Sequence, residues 1–171
     1  MKPRTFLLIA FLAHCGSRSA AQSTTPIDSL RARLARVSSD TLKLRLFHDL
    51  IDATNDADHD VRYTEELGAL ALSLSDSSDP HVRRIALDHR AWYEYLLGTI
   101  NPKEGPVQRL AHFKTALDLL GEEGDPNMRS RVLDAIIDIH INAGNFERSE
   151  AYVREALVLS DERKDIRMRI D

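Results

Sequence analysis

Three stretches of the chain close in the same way, and their spacing leaves few folds open. "ALSLSDSSDP" starts at Ala71, "ALDLLGEEGDP" at Ala116 and "ALVLSDERKDI" at Ala156. Each is Ala-Leu-x-Leu, a polar turn, and an Asp eight or nine residues after the Ala. The alanines lie 45 and 40 residues apart. A period in this range marks an array of helical units, none of which can bury its apolar face alone.

The punctuation between these stretches fits helices. Asp79-Pro80 and Asp125-Pro126 put a capping carboxylate before a proline, whose missing N–H costs nothing in a first turn, and Thr25-Pro26 repeats the device. Apolar residues between the caps fall at helical spacing, as in Leu42, Leu46, Leu50 and Ala53, then Leu133, Ile136, Ile137, His140 and Ile141. Aromatic residues make up only 6% of the chain, and no run alternates Val, Ile, Thr and Tyr, so strands are not expected. The chain is expected to be all-α.

The last unit, "RVLDAIIDIHINAGNFERSEAYVREALVLS", is the most informative. Leu133, Ile136, Ile137 and His140 share one helical face. "AGNF" makes a turn in which Gly144 can adopt positive φ, and Ser149, Val153 and Ala156 line a second helix. This unit resembles a tetratricopeptide repeat, with His140 where that family usually has Tyr and Ser149 where it usually has Ala. The resemblance covers about residues 40–165. In the middle unit Ala91, Trp92, Tyr95, Phe113 and Ala116 fit it, while Arg109 takes a small-residue position and "GTINPKEGP" is longer than the usual turn. In the first unit Leu46, Leu50, Thr64 and Ala71 fit.

The resemblance implies a tetratricopeptide-like solenoid of helical hairpins, about three repeats (about 40–78, 79–124 and 125–165) with an incomplete next repeat at 166–171. Residues 22–39 would supply an N-terminal capping helix, with Ile27, Leu30, Leu34 and Val37 on one stripe. Ala71, Ala116 and Ala156 would sit at tight helix crossings. The expected function is a non-enzymatic interaction scaffold that binds a peptide or protein along the concave face formed by the first helices. In the last unit, spacing assigns to that face Arg131, Asp134, Asp138, Ile141 and Asn142. Such a groove is mildly acidic and suits a basic or mixed-charge partner.

The N-terminus has its own logic. "MKPR" is basic, "TFLLIAFLA" apolar, and Ser19 and Ala21 are small, the pattern of a secretory signal peptide over residues 1–21 cut between Ala21 and Gln22. The mature protein would be periplasmic or secreted. Lipidation at Cys15, the only cysteine, is the lesser reading, because the bulky His14 precedes it. Loss of residues 1–21 removes Lys2, Arg4 and Arg18, moving the formal charge from −4 to −7. A nucleic-acid binder needs a positive footprint, so that class is not expected.

"NDADHDVRYTEEL" tests the metal-binding class. Asp56, Asp58 and Asp60 alternate like calcium-loop ligands, but Val61 stands where such a loop needs Gly and Leu67 where it needs a bidentate acid. The expectation is a turn between helices, with Asp60 as N-cap. No zinc motif, phosphate-cradling loop or Gly-x-Ser-x-Gly elbow occurs, so neither metal, cofactor nor catalytic residue is assigned. Trp92, Tyr93 and Tyr95 are expected in the core rather than in a ligand box. A second functional reading takes the chain as a truncated periplasmic sensory region of a membrane-bound histidine kinase or transcriptional regulator. On that reading "DIRMRID" begins a further helix, and self-association through the C-terminal end is a possible outcome.

Overall fold

A computed structural model describes residues 25–53, 57–100 and 104–168, with side chains placed over 25–53, 61–100 and 104–161. The protein is all-α. Its helices are α1 (Pro26–Leu34), α2 (Asp40–Ala53), α3 (Ala57–Leu74), α4 (Pro80–Ile100), α5 (Pro106–Leu120), α6 (Pro126–Asn142) and α7 (Phe146–Met168). Among the described residues there is no strand, and no helix is long and apolar enough to cross a membrane. The proposed leader with Cys15, the segment Asn55–Asp56 and residues 169–171 lie outside the described residues.

The caps behave as their chemistry dictates. Thr25 Oγ1 accepts from the Asp28 N–H at 3.2 Å while Asp28 reaches back to the Thr25 N–H at 3.3 Å, a reciprocal pair at the start of α1. Asp79 Oδ1 accepts from the His81 N–H at 2.8 Å, and Asp125 Oδ1 from the Asn127 N–H at 2.9 Å. At the end of α6, Gly144 takes φ 71° and the Asn145 N–H returns to the His140 carbonyl at 2.8 Å. That conformation is cheap only without a Cβ.

Each helix packs on the next in chain order, and α2 also meets α4. One continuous core results, in which Leu50, Leu67, Phe113, Leu120, Val132 and Ile136 are fully buried. Complete burial of such side chains is worth about 1.5–3 kcal/mol each. Helix α5 comes close to α4 at Gly98, where an added Cβ would stand 2.6 Å from the Phe113 ring. Across the other end, Arg31 Nε donates to Tyr63 Oη at 2.9 Å and ties α1 to α3.

Five expectations need correction. Helix α3 already begins at Ala57, so Asp60 lies inside it and is not its N-cap. The turn expected over "NDADHDVRYTEEL" is likewise overturned from Ala57 onward, where the backbone is helical. Helix α4 continues to Ile100 and α5 begins at Pro106, so both ends of "GTINPKEGP" are helix and the connection is shorter than read. On α2 the inward face carries Leu44, Leu46, Phe47, Leu50 and Ile51, leaving Leu42 and Ala53 exposed, because contacts with α1, α3 and α4 rotate it away from the stripe read by spacing. On α7, Val153 is exposed and Ala156 only half-buried, since among the described residues that helix packs on α6 and on no second helix to a comparable extent. Arg109 is also accommodated: its side chain turns along the helix crossing and Nε donates to the Gly98 carbonyl at 2.7 Å, capping the last turns of α4.

Candidate functional site

The half-buried polar groups converge on one face, where α2 meets α4. His48 on α2 lies flat on the Trp92 indole of α4, with ring centroids 3.7 Å apart and planes 5° apart. His89, one turn before Trp92, meets the His48 ring edge-on at 5.8 Å. His48 Nε2 stands 3.4 Å from Asp52 Oδ2, one turn along α2. Trp92 is 3% exposed and belongs to the core, so the imidazoles form a lid over it.

Burial pushes the His48 pKa below its ordinary value, against the pull of Asp52 and Asp49; Arg131 adds to the depression and Asp125 opposes it. His89 is pushed down to about 4, first by burial, then by His48 and Arg45. Both rings are therefore neutral at pH 7 and offer a donor and an acceptor each rather than a charge.

Arg131 and Asp125, at the start of α6, also act on His48 through their charges, while α6 itself packs on α5 and α7. Of the residues assigned to the groove by spacing, Arg131 is thus brought into electrostatic reach of the His48–Trp92 stack. Asp134, Asp138, Ile141 and Asn142 follow it on the solvent-facing stripe of α6, all exposed. The buried stripe of that helix is Met128, Val132, Leu133, Ile136, Ile139 and His140.

Spacing within one helix missed His48 and His89. A usable signal was present: His48 and Trp92 are 44 residues apart, close to the 45 and 40 that separate the closing motifs.

Other clusters are structural in character. His112 Nδ1 lies 2.8 Å from Glu94 Oε2 and its Nε2 3.5 Å from Glu104 Oε2, joining α5, α4 and the segment between them. His140 is buried, stacks on Tyr152 at 5.7 Å, and its Nδ1 has no hydrogen-bond partner. Its pKa is lowered, chiefly by burial and then by Arg148 and Lys114. A cleft of about 370 Å³ between α3 and α4 is apolar, lined by Val61, Leu96, Leu97 and Ile100 beside Tyr93. Among the described residues no group of three His, Cys, Asp or Glu side chains could hold a metal ion. No protein-family model matches the chain, and no curated protein or solved structure matches it significantly.

Proposed function

We propose that the chain is a tetratricopeptide-like interaction scaffold that binds a basic or mixed-charge peptide on the face shared by α2, α4 and α6. The observation that carries this reading is the stack of His48 on Trp92 with His89 against its edge, which Arg131 reaches through its charge. Flat, half-covered rings offer contact area at small entropic cost. Neutral imidazoles supply hydrogen bonds without the desolvation cost of a charge. Asp49, Asp52 and Asp125 act on the His48–His89 pair against Arg45 and Arg131, and Asp134 and Asp138 add exposed acid along α6, which favours cationic segments and opposes acidic ones. Arg131 and Arg45 each carry a guanidinium that can hold a carboxylate, so a segment of mixed charge fits better than a purely basic one.

Trp92 is the only tryptophan and reports on the site by itself. The test is to titrate two peptide pools, lysine-rich and glutamate-rich, against its fluorescence. Lysine-rich or mixed peptides should change the emission saturably, and Asp134→Lys with Asp138→Lys should weaken that binding on the order of tenfold. Equal binding of both pools, or indifference to the two substitutions, would sink the reading.

A further inference from the structure

Thr64 is buried for no reason that its neighbours supply. It lies on α3, is 4% exposed, and its hydroxyl has no hydrogen-bond partner. A threonine inside a helix can donate to the carbonyl one turn back, as Thr99 and Thr115 do at 3.1 and 3.0 Å. Thr64 does not. A buried hydroxyl without a partner lowers stability, and this one lines the cleft of about 370 Å³ between α3 and α4.

The cleft has the make-up of a small-molecule pocket, mostly apolar walls with a few polar groups, at the small end of the usual range of about 300–1,000 Å³. Two of its wall residues, Val61 and Ile100, are 47% and 41% exposed, so apolar surface is left to water there. Tyr93 forms part of the wall because Gly68 lets its ring lie against α3. A Cβ at that glycine would stand 2.6 Å from the ring. Burial raises the Tyr93 pKa, and Glu94 and Glu65 add to the rise, so the phenol stays neutral and brings no charge of its own. Glu65 is then the only charged side chain among the described lining residues.

We propose that this cleft binds a small cationic amphiphile, an alkyl- or arylalkyl-amine, with its apolar body between α3 and α4. An ammonium group carries three donors and no acceptor. The cleft answers it with the Glu65 carboxylate, the unpartnered Thr64 oxygen and the Tyr93 hydroxyl and ring. A carboxylate end would meet Glu65 with no cation among the described lining residues to offset the repulsion. The cleft joins α3 and α4, whereas the His48–Trp92 stack joins α2 and α4, so the amine site does not rest on the peptide reading.

The experiment compares octylamine, octanol and octanoate, which share one apolar body and differ in the charge of the polar end. Each is titrated into the isotope-labelled full chain at pH 7, where an alkylamine is protonated as a lysine side chain is. The amide NMR signals of Gly68, Leu96 and Leu97 are followed. Octylamine should shift them saturably, octanol should bind on the order of fivefold more weakly, and octanoate more weakly still. Glu65→Gln should remove the advantage of octylamine and leave octanol unchanged. Thr64→Val removes the hydroxyl at nearly constant shape; it should raise Tm by about 2–4 °C and weaken both octylamine and octanol. The rise in Tm separates weaker binding from loss of structure, and Thr64→Ser, which keeps the hydroxyl, should keep the affinity. Octanoate binding as tightly as octylamine overturns the proposal, as do octylamine shifts that never saturate. A Thr64→Val variant that binds both probes as the native chain does, or that melts lower, also overturns it: the hydroxyl then serves the fold and not a ligand.

Discussion

Helices α5 and α7 carry the same closing motif and meet opposite surroundings. In "ALDLL" of α5, Ala116 is completely buried, because α4 lies on one side of the helix and α6 on the other. In "ALVLS" of α7, Ala156 is half-buried and Leu157 and Val158 are each 59% exposed; among the described residues this helix packs on α6. Ala71 of α3, flanked by α2 and α4, is again fully buried. The motif encodes a helix with an apolar stripe; whether that stripe becomes core depends on a second neighbour. The Ala of the motif is thus core twice and half-buried once, while the Leu that follows it is exposed on α3 (Leu72, 57%) as it is on α7.

The largest break in this symmetry should come from the aromatic residues. Phe113→Ala empties a fully buried site and should cost about 3–5 kcal/mol. Phe146→Ala on α7, at 66% exposure, should change stability by less than about 0.5 kcal/mol. Urea unfolding of the two variants gives both numbers, and similar losses would mean that α7 is covered in solution.

Acid should act next, on the well-packed half. The folded-state pKa of His89 is depressed, so its neutral ring contributes stability that is fully present above about pH 6.5 and is lost as pH falls towards about 4. At 1.36 kcal/mol per pH decade, that is about 2 kcal/mol by pH 5 and about 3 by pH 4. His48, also depressed, works in the same direction. A His89→Leu variant should lose measurably less stability between pH 7 and pH 5 than the native chain does; an identical loss refutes the assignment.

The alanines give the sharpest comparison at smaller size. Ala116→Leu must force apart two packed helices and should cost about 1–3 kcal/mol. Ala156→Leu has open space on one side and should stay within about 0.5 kcal/mol. Thermal melts of the two variants in parallel decide the matter, and equal penalties would show that the edge of α7 is occupied.

Much of the fold was legible because it rests on local chemistry. The caps at Thr25, Asp79 and Asp125 and the turn at Gly144 depend on residues within a few positions, and each forms as its sequence dictates. The site was legible only in part. Arg131, Asp134, Asp138, Ile141 and Asn142 are exposed as spacing indicated, yet the His48–Trp92 stack joins residues from two helices. No pattern within either helix states how closely α2 approaches α4. The rotation of α2 that buries Leu44 and exposes Leu42 was hidden for the same reason: two apolar stripes were available, and contact with three other helices selected one.

The sequence alone determined that this protein is helical and roughly where its helices begin and end, since capping, proline placement and apolar periodicity act within a turn or two. Tertiary structure decided which of two near-identical stripes is core, which imidazoles lose their charge, and which alanine is at a crossing. Those outcomes depend on the number of neighbours that reach a helix, and burial, unlike capping, is a property of the whole arrangement.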